Sequence, residues 1–258
     1  MTSKAVFILV PGAWHGASTW DKVTRLLEEK GHRAIAVNLP STSGDAAATF
    51  GDDVTHVRSL ILGEVRQGHH VVVVVHSYGG VVGESAIRDV PTARHPSPEI
   101  THGKVIGLAL MATGFNTTNK SFIDGFGGEP PPIWRADEES GFVVFTDGTD
   151  PAELFYHDLP TEEEKQYWVS KLRKQSIKSL YEGGEHSYAG WQDVPSWVLM
   201  TTKDRPLPVE AQKMMTQTAV DAGASVKTRE IDSGHSPMLA RPEETASFLV
   251  EAATALAG

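Results

Sequence analysis

An α/β architecture, a mainly parallel six-stranded sheet with helices on both faces, is predicted by three observations. Short apolar runs alternate with helical stretches along most of the 258 residues. The connections between them are short, as when strands of a parallel sheet are joined through crossover helices. The runs AVFILV and HVVVVV are apolar almost throughout, the pattern of strands buried on both sides.

The first strand spans 5–10 and is closed by Pro11-Gly12. A helix over 18–30 follows, with Ser18 or Thr19 as its cap and Gly31 as its stop. RAIAVN at 33–38 is the second strand. Asp52 and Asp53 open a helix whose Val54, Val57, Ile61 and Val65 share one face. The third strand, 70–75, leads into a helix from Gly79. VIGLALMA at 105–112, SWVLMT at 196–201 and SVKTREI at 225–231 supply three more strands. The last helices run from Pro206 to Ala222 and from Pro242 to Ala257. Residues 113 to about 192 break this rhythm with the turn GGEPPPIW, a charged helix in TEEEKQYWVSKLRKQS and several aromatics. This interval is expected to lie over the sheet as an insertion within a single domain, 1–258.

Net charge is −10 with no basic stripe, which argues against nucleic acid and anionic membranes as partners. Cysteine is absent, so disulfides, a thiol nucleophile and thiolate metal sites are excluded. The start, MTSKAVFILVPG, reads as a strand and not as a secretory signal, and no run reaches the roughly 18 apolar residues of a membrane helix. A cytoplasmic location is the expectation. No cofactor or metal is implied, since neither clustered ligands nor a phosphate-cradling glycine motif is found. Oligomeric state is unreadable.

Chemistry in an open parallel sheet collects at the carboxyl ends of its strands. Ser77 stands directly after the third strand, Asp204 after the fifth and His235 after the sixth. A serine hydroxyl needs a base to take its proton, and the base needs a third group to orient it. Taken singly, Ser77 is also a turn residue, Asp204 a helix cap before Pro206 and His235 a loop histidine. Three such residues at three strand ends, in the order Ser, Asp, His, form a catalytic set. His76 should point the other way along its strand, His186 lies in the insertion, Asp232 shares the turn of His235, and Asp193 precedes its strand. The amides of Tyr78 and of Ala13, in VPGAWHG, are the candidate oxyanion donors. The G-x-S-x-G pattern lacks its first glycine, because Val75 stands there. Gly79 and Gly80 are expected to leave room on the helix side.

PGAWHG, HSYGG, KDRPLP and SGHSPML together resemble the α/β-hydrolase superfamily, in particular the plant methyl esterases, polyneuridine-aldehyde-type esterases, hydroxynitrile lyases and their microbial esterase relatives. The resemblance implies the α/β-hydrolase fold, a triad of Ser77, Asp204 and His235, an oxyanion hole at Ala13 and Tyr78, and a helical cap formed by the insertion. Ser236 stands where the lyases carry a lysine, and Gly12 where they carry a threonine, which disfavours cyanohydrin chemistry. Ser77 excludes the aspartate-nucleophile relatives.

A serine-dependent hydrolase for a small or medium apolar carboxylic ester, lactone or thioester is therefore expected. Gly12, Trp14, Phe115, Trp134, Trp168 and Trp191 are candidate pocket residues, with Phe122, Phe126 and Tyr156 as further cap aromatics; each is equally accounted for by core packing. A lyase or cyclase, or a ligand receptor using the same pocket, stays open as an alternative.

Overall fold

The computed structural model describes residues 4–100 and 102–257. Met1, Thr2 and Ser3 of the expected first-strand segment lie outside the described residues.

The strands are β1 (Val6–Val10), β2 (Ala34–Ala36), β3 (His70–His76), β4 (Lys104–Met111), β5 (Trp134–Asp137), β6 (Phe142–Phe145), β7 (Gln175–Ser176), β8 (Ser196–Thr201) and β9 (Val226–Ile231). The helices are α1 (Asp21–Glu29), α2 (Phe50–Arg66), α3 (Gly79–Ala86), α4 (Pro151–Phe155), α5 (Glu162–Val169), α6 (Ile177–Tyr181), α7 (Val209–Asp221), α8 (Pro237–Ala240) and α9 (Pro242–Leu256). Six strands form one sheet in the order β2-β1-β3-β4-β8-β9. Every neighbouring pair in it is parallel. None of the described helices is long and apolar enough to cross a membrane.

The valines of β3 explain how helices cover both faces. Val73 and Val75 point to one side, where α3 crosses with Gly83 against them. Val72 points to the other side, and its register partner Gly107 of β4 receives Leu256 of α9. All five valines from Val71 to Val75 are fully buried.

Local chemistry sets the helix starts differently from expectation in three places. A 3-10 turn at Ala17–Trp20 precedes α1, so neither Ser18 nor Thr19 caps the α-helix. Thr49 and Asp52 form a capping box that starts α2 two residues early. The segment after β8 stays out of helix until Val209, because Asp204 Oδ1 accepts Leu207 N–H at 2.8 Å and turns the chain.

The interval between β4 and β8 is not wholly helical. It holds a three-stranded antiparallel sheet, β5-β6-β7, beside short helices. The charged stretch is helical only to Val169. Beyond it, Arg173 N–H bonds to Trp14 O at 2.8 Å and Gln175 pairs with β6, which draws the chain into extended form.

Val75 is accommodated by Gly83, one turn beyond the glycines expected to make room. A Cβ at Gly83 would lie 2.3 Å from Val75 Cγ1, whereas one at Gly79 would meet Pro11 O at 2.5 Å. The Gly83→Ala substitution should therefore cost about 1–3 kcal/mol in urea unfolding, and markedly less when Val75→Ala is also present. Equal cost in both backgrounds would contradict the contact.

Candidate active site

The sheet ends place the three sequence-predicted residues at one edge, with Asp204 and His235 in contact. His76 ends β3 opposite Met111, and Thr201 ends β8 opposite Ile231. Ser77 follows by one residue, Asp204 by three and His235 by four, so all three emerge at the same edge.

Ser77 adopts φ 51°, in the left-handed region that costs a non-glycine residue roughly 1–2 kcal/mol. Its carbonyl is held on both sides, by Gly80 N–H at 2.8 Å and by Thr113 Oγ1–H at 2.8 Å. The turn lifts Ser77 out of the strand's alternation while His76 completes it.

His235 donates from Nδ1 to the Asp204 carboxylate, at 3.0 Å to Oδ1 and 2.9 Å to Oδ2. Thr201 Oγ1–H and Gln212 Nε2–H donate to Oδ2 at 2.8 and 3.4 Å. Leu207 N–H donates to Oδ1. Asp204 is thus both the turn residue and the partner of His235. The pair is nearly inaccessible, 7% exposed at Asp204 and 3% at His235. Ser77 Oγ and His235 Nε2 carry no hydrogen bond among the described residues.

Neither Ala13 N–H nor Tyr78 N–H is bonded among the described residues, in contrast to their neighbours Trp14 and Ser77. Gly12, next to Ala13, packs closely on the serine: a Cβ there would stand 2.9 Å from Ser77 Cβ and 3.0 Å from His76 Nδ1.

Two further imidazoles complete the floor. His76 does not leave the site, as strand alternation predicted; its Nε2–H reaches His235 O at 2.8 Å and the two rings lie 4.8 Å apart. His15 donates from Nδ1 to Ala13 O at 2.7 Å and accepts Tyr156 O–H at Nε2, at 2.8 Å. Burial, with repulsion from His235 and His15, holds His76 well below the usual imidazole range. Burial likewise lowers His15 to about 4, against the opposing bond to Ala13. Both are held neutral at pH 7; Ala13 O and Tyr156 occupy both ring nitrogens of His15, and His76, bonded to His235 O, has no carboxylate to stabilise a protonated ring.

The insertion closes over this edge through polar and aromatic contacts. Asp158 Oδ2 accepts Gly234 N–H at 2.6 Å and Ser233 Oγ–H at 2.9 Å, fastening the loop that carries His235. Phe155 lies 5.6 Å from the His235 ring. A chain of ring contacts joins His235 to Tyr78: Phe155, Trp14, Trp134, Phe126 and Phe122, with centroids 5.2–6.4 Å apart. Phe126 is 43% exposed, so this chain opens to solvent there.

Of the candidate pocket residues, Gly12, Trp14 and Trp134 belong to this surround. Phe115 and Trp191 instead pair edge-on at 6.0 Å, and Trp191 Nε1–H bonds to Asn116 O at 2.7 Å, which pins the loop after β4. Trp168 packs on Tyr167 within α5. Phe145, Phe155, His15, Asp158 and Gln175 were not singled out from the sequence. Their roles arise from contacts across more than 70 positions, for which the sequence carries no local signal. Among the described residues no group of three or more His, Asp or Glu side chains is placed to hold a metal ion.

Residues 7–248 match the model of the alpha/beta hydrolase family, and the chain belongs to that family. It is 27% identical over 252 residues to alpha/beta hydrolase nvfD of Aspergillus novofumigatus, covering 97% of each chain. It is 27% identical over 269 residues to methylesterase 1 of Arabidopsis thaliana, covering 97% of this chain and 96% of the relative. Polyneuridine aldehyde esterase superposes with a TM-score of 0.72 at 20% identity, over 97% of this chain and 99% of that one.

The buried histidines set an acid sensitivity. The unfolded chain takes up a proton near pH 6.5 that native His15 refuses until about pH 4. Its stabilisation is complete above 6.5 and falls by about 3 kcal/mol as pH drops to 4. Asp53 works in the opposite sense, because burial raises it from 3.8 to about 6. In urea unfolding between pH 7 and 4.5, the His15→Gln variant should lose less stability on acidification than the wild type. Identical losses would contradict the assignment.

Proposed function

We propose that this chain is a serine hydrolase acting on a small or medium apolar carboxylic ester through an acyl-enzyme. The observation that carries the reading is that Ser77, in its left-handed turn, stands at the same sheet edge as two unbonded amides and the Asp204-bound imidazole of His235. The esterase named among its structural neighbours and the methylesterase among its relatives support the same chemistry.

Ester binding places the acyl carbon over Ser77 Oγ and its carbonyl oxygen between the Ala13 and Tyr78 amides. As Oγ attacks, its proton passes to His235 Nε2, and the imidazolium formed is stabilised by Asp204 at Nδ1. Negative charge on the former carbonyl oxygen meets two N–H groups already oriented and unspent on other partners. Collapse of the tetrahedral species breaks the ester C–O bond, and the leaving alkoxide takes the proton from His235. Water then attacks the acyl-Ser77 carbonyl by the same route, releasing the acid and restoring the serine.

The insertion serves as the cap over this site. Its aromatic chain supplies an apolar surround that favours substrates with aromatic or alkyl groups. Lactones and thioesters present the same electrophilic carbonyl and fall within the same machinery.

Hydrolysis of p-nitrophenyl butyrate should be measurable for the wild type and should fall by at least about 10³-fold in Ser77→Ala. Labelling by a fluorophosphonate should vanish in the same variant. Turnover that survives Ser77→Ala would overturn the serine mechanism.

A further inference from the structure

The residues that would bind the oxyanion sit on two separate loops, one after β1 and one after β3, yet a single buried side chain ties them together. Gln175, in β7 of the insertion, accepts Trp14 N–H at Oε1, 3.1 Å away. Its Nε2 donates to Ser41 Oγ at 2.9 Å and to Ser179 Oγ at 2.6 Å. The Ser41 hydroxyl donates to Asp53 Oδ2 at 2.6 Å, and the Tyr78 hydroxyl donates to the same oxygen at 2.8 Å. Ser41 N–H completes the set on Oδ1 at 2.9 Å. Gln175, Ser41, Ser179, Asp53 and Tyr78 are all fully inaccessible.

The two ends of this network are specific. Trp14 N–H belongs to the Ala13–Trp14 peptide, whose oxygen is held by His15 Nδ1–H at 2.7 Å. That peptide is therefore gripped from both sides, next to the Ala13 amide, and Trp14 itself adopts φ 61°. At the other end, anchoring the Tyr78 ring fixes the residue whose N–H, directly after Ser77, has no partner among the described residues. No donor in the network is left over: each of the two Gln175 amide protons and the Ser41 hydroxyl has an acceptor, and the Tyr78 hydroxyl reaches Asp53 Oδ2 and, at 3.4 Å, Ser179 O. A carboxylate at Asp53 accepts all three donors that reach it, whereas a neutral acid would place its own proton against one of them.

We propose that Gln175 is a positioning residue for the oxyanion hole, holding the Ala13 and Tyr78 amides in register through Trp14 on one side and Ser41–Asp53 on the other. The inference rests on the serine hydrolase reading above. It makes the insertion a structural part of the oxyanion pocket as well as its cover. Gln175 touches no substrate, so its removal should weaken charge stabilisation in the transition state and leave ground-state ester binding nearly unchanged.

The test compares wild type, Gln175→Met and Ser179→Ala with p-nitrophenyl butyrate as substrate and phenylboronic acid as tetrahedral mimic. Methionine keeps the length of the side chain and removes both its donor and its acceptor. The expected result for Gln175→Met is a kcat lower by roughly 10- to 100-fold, with KM within about twofold. The boronate affinity should fall by a similar factor, which a loss of stability alone would not produce. Ser179→Ala, which removes one acceptor of Gln175 Nε2 and keeps the bond to Trp14, should show a smaller drop of the same kind, and it carries the test if Gln175→Met does not fold. Wild-type turnover with unchanged kcat and boronate affinity in the folded variants overturns the positioning role and leaves the hydrolase reading standing. Absence of turnover and of boronate binding in the wild type strikes the hydrolase reading itself and this inference with it.

Discussion

The left-handed turn at Ser77 is the constraint on which the site depends. A serine there pays a backbone penalty of roughly 1–2 kcal/mol, and the surrounding sheet has to enforce the conformation. β3 enforces it from below, with five buried valines locked between β1 and β4. α3 enforces it from above by crossing so close that Gly79 rests on the carbonyls of Val10 and Pro11 and Gly83 on Val75. The missing first glycine of the G-x-S-x-G pattern is thus compensated four residues beyond the second one, where the helix glycine Gly83 takes up the valine methyl. The order of large and small residues is exchanged across the strand–helix contact, and the contact distance is kept.

Around this turn, five imidazole and phenol groups divide the work by their partners. His235 alone has a carboxylate on Nδ1, so it alone is set up to gain a proton at Nε2. His15 and His76 hold backbone carbonyls and are kept neutral by burial, so each acts as a brace between loops. Tyr156 and Tyr78 close the braces from the insertion and from α2 through His15 and Asp53. A site assembled from five separate segments gains its order from these buried bonds, each of which would leave an unpaired polar atom if either side were removed.

The sheet and the three residues at its edge were legible in the sequence for one physical reason. Buried parallel strands are written as continuous apolar runs, and their carboxyl ends are where Ser77, Asp204 and His235 stand. The insertion was much less legible. Its strands are two to four residues long, too short for any period, and Gln175 sits at the end of a charged stretch that reads as exposed helix. Asp53 was readable only as a helix-opening acid, because nothing local distinguishes it from Asp52, which does cap α2 while Asp53 turns inward. His76 was placed facing away by strand alternation; the alternation holds, and the ring still meets His235 because the loop carrying that residue folds back beneath it. Phe115, Trp168 and Trp191 show the complementary limit: aromatic content marks a packed layer without telling which rings face the serine.

The most direct measurement is the mass of the protein quenched during turnover of p-nitrophenyl butyrate, followed by peptide mapping. The account predicts a butyryl adduct on the peptide containing Ser77, appearing within the burst and decaying as product forms. Turnover with no acyl adduct, or with the adduct on any other residue, would contradict it.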